Sequence, residues 1–296
     1  MIKNFFKINN IEYIENAQLK KHNTFHIAAT CKYLVFPQNE NELINIIKET
    51  KRDNIKYIIL GNGSNVILDF DHYEGIIIKL DNLNAIEYDG NVVTVGAGYS
   101  LIKLAIETIN KGLSGLTFAA GIPGCVGAST AMNAGAYNSD MASVVKNVKI
   151  LNANLEIEIL TKDQLNYSYR DSFLKQHPEN IVLATTLELS PGNILEMNKQ
   201  VKERRNKRPE TQPLDMPSAG SVFRNPEGMY AGELIEKLGL KGYNINGAEI
   251  SPKHANFIVN KGNAHGKDII ELINKVKKEV KEKYNVDLKL EQIIIK

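Results

Sequence analysis

The chain has 296 residues, with 36 basic and 34 acidic side chains and a formal net charge of +2. Such balanced charge argues against a nucleic-acid surface as the main partner. A single hydrophobic core stops growing near about 250–300 residues, so the length predicts two or three domains.

The cysteines and the N-terminal residues predict the cellular compartment of the protein and whether it has a metal site. Cys31 and Cys125 lie far apart and outside any CxxC spacing, which predicts no metal site and no disulfide and favours a reducing cytosol. Residues 1–10 lack the apolar stretch of a signal peptide. The longest apolar runs are strand-sized, so we expect a cytoplasmic protein without a membrane span.

Short apolar runs separated by turn signals predict buried strands in the first third of the chain. They lie at residues 57–60, 65–68 and 75–80. Residues 84–98 are predicted to form a hairpin, because Asp89-Gly90 is a strong turn signal. Residues 100–112 are predicted to form a helix that Ser100 caps and Gly112 ends.

Beyond this helix the predicted elements remain mixed. In chain order they are a hairpin at 145–160 that turns at 152–154, a helix at 194–208, a helix within 231–242 that Gly239 stops, a strand at 254–262, a helix at 268–284 and a strand at 286–295. The helix at 194–208 is expected to end before Pro209, where a new unit begins. The order lacks the regular alternation of a doubly wound sheet and indicates an α+β class.

The basic segment at 202–210 has two interpretations. It is either the solvated end of a helix or a site for an anionic substrate.

Two glycine-rich segments, 60–66 and 115–137, are the main candidates for a binding site. Glycine lets successive backbone N–H groups turn toward an anion such as a diphosphate. Short polar side chains accompany them, namely Asn65, Ser129, Thr130 and Asn133. Neither GNGSNV nor GAGYSL completes the GxGxxG pattern, so we reject a Rossmann site and keep ordinary turns as the alternative.

Several motifs in order carry a family resemblance: GNGSN, GIPGCVGASTAMNAGAY, NYSYRDSF, PSAGSVFRNP and AEISPKHANFIVN. Together they resemble the UDP-N-acetylenolpyruvoylglucosamine reductase family, within the vanillyl-alcohol-oxidase-type flavoprotein superfamily. The resemblance covers nearly the whole chain and is closest to the shorter, type II form.

The resemblance implies an FAD-binding domain of the vanillyl-alcohol-oxidase (PCMH) type in two parts, and then a C-terminal α/β substrate-binding domain. The expected bounds are 1–200, with subdomains at about 1–82 and 83–200, and 201–296, whose last strand can return toward the FAD-binding domain. FAD is expected to bind non-covalently, so no covalent link to Cys125 or to another residue is expected. The expected FAD-binding residues are Gly61, Asn62, Gly63, Ser64, Asn65, Ala120, Gly121, Ile122, Pro123, Gly124, Gly127, Ala128, Asn133, Ala134 and Gly135.

The implied reaction is the reduction of UDP-N-acetylglucosamine enolpyruvate to UDP-N-acetylmuramate in peptidoglycan synthesis. NADPH reduces FAD, and hydride then passes from flavin N5 to the enolpyruvyl β-carbon. The resemblance makes Ser221 the proton donor to the α-carbon, Arg170 the partner of the developing enolate, and Glu291 the group that polarises its carboxylate. Tyr169, Asn225, Arg208 and Lys207 are expected to contact the substrate.

Taken singly, Ser221, Arg170 and Glu291 would be read as a polar turn, a surface pair and a solvated side chain. His254 is interpreted as structural. Two departures from the family pattern stand out: Ala28-Ala29 replaces a glycine pair, and the tail 288–292 reads LKLEQ where the family has L-E-x-E-V.

Two alternatives stay open beside this reductase. One is another FAD-dependent oxidoreductase on the same FAD-binding domain, and the other is a flavin-binding protein without activity. We expect a monomer that binds a small-molecule substrate and neither nucleic acid nor membrane.

Overall fold

The computed structural model describes residues 1–296, which form eight α-helices and eighteen mostly short strands. The helices are α1 (Ile2–Ile8), α2 (Glu40–Arg52), α3 (Leu101–Asn110), α4 (Val126–Ala131), α5 (Phe173–Gln176), α6 (Ile194–Thr211), α7 (Ala231–Lys237) and α8 (Gly266–Tyr284). Up to residue 140 the strands are β1 (Glu12–Gln18), β2 (Thr30–Phe36), β3 (Tyr57–Ile59), β4 (Val66–Leu68), β5 (His72–Ile78), β6 (Ile86–Asp89), β7 (Val92–Gly96), β8 (Leu113–Ser114), β9 (Gly135–Ala136) and β10 (Ser139–Asp140). The later strands are β11 (Val145–Leu151), β12 (Ile157–Thr161), β13 (Ile181–Glu188), β14 (Ser190–Pro191), β15 (Asn244–Ile245), β16 (Ala248–Ile250), β17 (Ile258–Asn260) and β18 (Ile293–Ile295). The irregular order confirms the predicted α+β class.

The chain forms two compact units. Unit one comprises Met1–Glu15, Lys32–Gly61 and Glu74–Arg204, and unit two comprises Asn16–Cys31, Asn62–Tyr73 and Arg205–Lys296. The early segment Asn62–Tyr73 belongs to unit two, since its strand β4 pairs in parallel with the C-terminal β18, Val66 opposite Ile293. Sequence order alone does not predict this pairing.

Unit one is built on a five-stranded antiparallel sheet in the order β12-β11-β13-β7-β6. Both predicted hairpins are confirmed as β6–β7 and β11–β12. The first turns one residue later than predicted, because Asp89 pairs with Val92 and the loop is Gly90-Asn91. Gly90 has the left-handed φ of +59° that such a turn favours.

The helix predicted after the first hairpin is confirmed as α3. The Oγ of Ser100 accepts from the backbone N–H of Lys103 at 3.4 Å, and Gly112 follows the helix with φ +70°. Both ends thus match the expected caps.

A second sheet orders its strands β1-β2-β5-β3, and β3 pairs in parallel with β5. Helix α2 buries Leu43, Ile46 and Ile47 in the core of unit one. The predicted strands at 57–60 and 75–80 are β3 and β5, and β5 begins three residues earlier than predicted.

Unit two contains a three-stranded sheet, β15-β16-β17, against which α8 packs. The predicted apolar face of α8 is confirmed: Ile269, Leu272, Ile273, Val276 and Val280 are all buried. The periodicity of 3.6 residues placed these side chains on one face.

The predicted end of α6 is wrong, since the helix continues through Pro209 to Thr211. Proline lacks the N–H that would bond to the carbonyl of Arg205, so the helix loses one hydrogen bond at Pro209. The N–H of Gln212 still bonds to the carbonyl of Arg208 at 2.9 Å, and Lys253 Nζ donates to the Pro209 carbonyl at 3.0 Å.

The two predicted strands near the C-terminus are shorter than expected. The structure keeps only β17 of residues 254–262 and only β18 of residues 286–295. None of the helices is long and apolar enough to cross a membrane.

Candidate active site

The first glycine-rich segment follows β3, and a backbone hydrogen bond to the end of β5 holds its first residue. The N–H of Leu60 bonds to the Ile78 carbonyl at 2.9 Å. A Cβ on Gly61 would lie 2.8 Å from Cys125 Sγ and 3.2 Å from the Cβ of Ala128. The two glycine-rich segments therefore meet at Gly61, where no side chain fits.

Consecutive backbone donors in this segment have no acceptor within the protein. The N–H groups of the four residues 61–64 donate no hydrogen bond, although Gly63 is buried. Gly63 has a φ of +65°, and a Cβ there would lie 2.6 Å from the Asn23 Cα. A run of unused N–H groups in a tight glycine turn fits an anion such as the diphosphate of FAD.

The second glycine-rich segment is held by backbone hydrogen bonds to residues 97–101. The N–H groups of Val126 and Gly127 bond to the carbonyls of Tyr99 and Ala97, each at 2.9 Å. A Cβ on Gly127 would lie 2.7 Å from that of Ala97. Gly127, one of the expected FAD-binding residues, is thus also needed for the close packing of this segment against Ala97.

Asn133 is an expected FAD-binding residue whose side chain is engaged inside unit one. Its Nδ2 donates to Asp140 Oδ2 at 3.1 Å and to the Ser168 carbonyl at 2.8 Å. Its Oδ1 accepts from the N–H of Ala142 at 2.9 Å. The residue is 1% exposed and has a φ of +44°, so its amide fixes the course of the segment around Ala134.

Arg170 lies beside this segment in a tight turn, with a φ of +55°. Its Nη2 donates to the Gly135 carbonyl at 2.5 Å, and its Nη1 lies 3.5 Å from the Asn133 carbonyl. The guanidinium also lies over the ring of the half-exposed Tyr169, 5.2 Å from its centroid. Lys175 Nζ donates to the Arg170 carbonyl at 2.8 Å. Side chain and backbone are therefore both held in unit one.

Ser221 lies in unit two, on an extended segment held along both edges. It forms an antiparallel bridge with Phe257 on one side, and the N–H of Glu291 bonds to the Val222 carbonyl at 2.8 Å on the other. Gly220 turns the chain into this segment with a φ of +76°. The Ser221 hydroxyl makes no hydrogen bond within the protein. The fold thus brings two of the three expected catalytic residues onto adjacent segments.

Two buried amides support the Ser221 segment, and neither was predicted from the sequence. Asn256 accepts from the Phe223 N–H at 2.9 Å and donates to the Phe223 carbonyl at 2.8 Å. Gln292 donates from Nε2 to the carbonyls of Ala219 and Gly220, at 3.1 and 3.2 Å. A polar residue inside an apolar run, as in HANFIV, is the signal that could have identified Asn256.

His254 lies in the turn before β17, in agreement with its structural interpretation. Its Nδ1 accepts from the N–H of Asn256 at 3.2 Å, which requires an unprotonated Nδ1. Burial lowers the pKa of His254, and the nearby Lys241 lowers it further.

Two of the expected substrate contacts in unit two, Asn225 and Arg208, have local partners, and the third, Lys207, is exposed. Asn225 Oδ1 accepts from the N–H of Ala231 at the start of α7, at 3.1 Å. Arg208 Nε donates to Gln212 Oε1 at 3.1 Å.

Comparison with known proteins identifies the cofactor class first. Residues 31–160 match the model of an FAD-binding domain, and residues 212–295 match the C-terminal domain of UDP-N-acetylenolpyruvoylglucosamine reductase. With the unused N–H groups at 61–64, these matches define an FAD-dependent oxidoreductase.

Individual relatives cover nearly the full chain. The UDP-N-acetylenolpyruvoylglucosamine reductase of Bacillus subtilis is 42% identical over 95% of this chain and 93% of its own. That of Anoxybacillus flavithermus is 44% identical over the same shares. The crystal structure of the Thermus caldophilus enzyme superposes with a TM-score of 0.81 at 31% identity, covering 97% of this chain and 99% of the other. The chain belongs to the UDP-N-acetylenolpyruvoylglucosamine reductase family.

Proposed function

We propose that this chain reduces UDP-N-acetylglucosamine enolpyruvate to UDP-N-acetylmuramate, a precursor of peptidoglycan, with NADPH as reductant. The names of its relatives support the reaction. The structural observation that supports it most directly is the Ser221 hydroxyl. It has no acceptor or donor within the protein, yet the backbone on both sides of it is fixed by hydrogen bonds.

We assign cofactor binding to residues 1–200 and substrate binding to residues 201–296. The backbone N–H groups of residues 61–64 are the donors for the FAD diphosphate, and the segment around Gly127 contributes the second wall of the cofactor site. Bound FAD would donate the hydride to the substrate, and NADPH would reduce the flavin.

Saturating the enolpyruvyl double bond requires one hydride at the β-carbon and one proton at the α-carbon. We assign the proton to Ser221 Oγ, which then regains a proton from solvent. A hydroxyl without a competing partner in the protein suits this role, because no other protein group must release it before it meets the substrate.

The substrate carboxylate carries the negative charge that develops beside the α-carbon. We assign Arg170 to bind this carboxylate and stabilise its charge, because a guanidinium stays protonated and presents two parallel donors to a carboxylate. Its contacts with the Gly135 and Asn133 carbonyls hold it before substrate binds. Glu291 is assigned to polarise the same carboxylate.

The test is an anaerobic visible spectrum of the purified protein. NADPH should bleach the flavin band, and UDP-N-acetylglucosamine enolpyruvate should restore it. A band that stays bleached after the enol ether is added would point to another acceptor and so to a different FAD-dependent oxidoreductase. A purified protein that neither contains nor binds flavin would reject the cofactor site itself.

A further inference from the structure

Lys79 is a buried cation in unit one that the reaction described above does not use. It directly follows β5, and its side chain is 6% exposed. An ammonium group removed from water is strongly destabilising unless charges and hydrogen bonds compensate it.

The compensation that the protein supplies to Lys79 is incomplete. Its Nζ donates to the Gly61 carbonyl at 2.9 Å and lies 3.4 Å from Asp81 Oδ1. The Asp81 side chain is 48% exposed, so solvent screens much of that attraction. An ammonium has three donors, and these two oxygens are its polar partners in the protein.

The contact with Gly61 has a consequence for the next residue. In a planar trans peptide the carbonyl and the following N–H point in opposite directions. Because Lys79 binds the Gly61 carbonyl, the N–H of Asn62 is directed away from Lys79. This N–H is the second of the four unused donors at 61–64. A cation on the carbonyl also polarises the peptide and strengthens its N–H as a donor.

We propose that Lys79 is a positioning residue for the FAD diphosphate, acting through the Gly61 carbonyl. It fixes the peptide whose N–H faces the anion. The anion lies on the other side of this peptide, so it stabilises the buried ammonium through charge alone and not through a hydrogen bond. In the absence of FAD, Lys79 is an undercompensated charge that lowers the stability of the apoprotein.

This reciprocity gives a signature that a merely structural lysine lacks. Lys79→Met keeps the length of the side chain and removes its charge and donors. We expect the dissociation constant for FAD to rise at least tenfold, measured by titrating apoprotein into FAD and following flavin fluorescence. The melting temperature of the apoprotein should stay the same or rise.

The matched control is Lys32→Met. Lys32 lies on β2, and its side chain is 48% exposed and paired with the exposed Glu74 at 3.3 Å. This variant should leave both the FAD affinity and the apoprotein melting temperature as in the wild type.

Two results would overturn the proposal. One is an unchanged FAD affinity in Lys79→Met. The other is a fall in apoprotein stability large enough to account for the loss of affinity. If Lys79→Met does not fold, Lys79→Gln, which keeps an N–H donor without the charge, decides: weakened FAD binding at wild-type apoprotein stability supports the proposal, and wild-type affinity rejects it.

Discussion

Gln292 donates from its side-chain Nε2 to the carbonyl of Gly220 at 3.2 Å, directly before Ser221. The same nitrogen lies 3.1 Å from the Ala219 carbonyl. Gln292 is 3% exposed and stands where the family pattern has a valine. In this chain a buried amide therefore links the C-terminal segment to the turn that presents Ser221.

The first prediction concerns this link. Gln292→Met conserves volume but leaves the two carbonyls without their donor, so we expect the free energy of unfolding to fall by roughly 1–3 kcal/mol. Gln292→Glu should cost more, because a buried carboxylate faces two carbonyl oxygens and cannot donate to them while ionised. Urea unfolding measures both. The exposed Gln200→Met is the control, and equal stability of Gln292→Met and Gln200→Met would show that the amide contact is immaterial.

The second prediction tests the role of Ser221 by separating the two half-reactions. Ser221→Ala should leave flavin reduction by NADPH nearly intact and slow reoxidation by the enol ether by about 10²–10⁴-fold, the usual range for loss of a proton donor. Stopped-flow absorbance at the flavin band follows each half-reaction. Ser218→Ala, in the same motif, should behave as wild type. Comparable slowing of both half-reactions in Ser221→Ala would exclude the proton-donor role.

The third prediction concerns the close approach of the two glycine-rich segments. In Gly61→Ala the new methyl group would lie 2.8 Å from Cys125 Sγ, so the segments must separate. We expect weaker FAD binding and a lower melting temperature. Cys125→Ala removes the sulfur, and the double variant should recover part of both losses. If the double variant is no better than Gly61→Ala, then the sulfur contact is not the reason for the glycine.

The fourth prediction is a pH dependence of stability that arises from His254. Burial, and then Lys241, lower the pKa of His254 below its ordinary value of 6.5. The unfolded chain therefore binds a proton on His254 before the folded protein does. The contribution of His254 to the free energy of unfolding is fully present above about pH 6.5. It falls as the pH drops from there toward the lowered pKa of His254 in the folded state.

The measurement is urea unfolding at several pH values from 8 to 5. His254→Gln should flatten the loss of stability below pH 6.5, because glutamine does not titrate. His177→Gln, at a side chain that is 46% exposed, is the control and should keep the wild-type slope. Identical slopes in wild type and His254→Gln would remove His254 as the cause.

The sequence predicted well wherever the signal is local. The α8 face followed from helical periodicity, and the caps of α3 followed from Ser100 and Gly112. The passage of α6 through Pro209 was not predictable in this way, since the Lys253 side chain that supports the helix end lies 44 residues further along the chain.

By itself, the sequence determined the α+β class and the hairpins, because backbone preference and side-chain periodicity act over a few residues. The flavin reductase was implied by the resemblance of its motifs to a known family. Only the tertiary structure decided that β4 pairs with β18, that Glu291 lies beside the Ser221 segment, and that Lys79 binds the Gly61 carbonyl. Asn65 Nδ2, for example, donates to the Glu291 carbonyl across 226 residues of chain at 3.2 Å. Such contacts depend on burial and on partners that meet only when the chain has folded, and no local pattern encodes them.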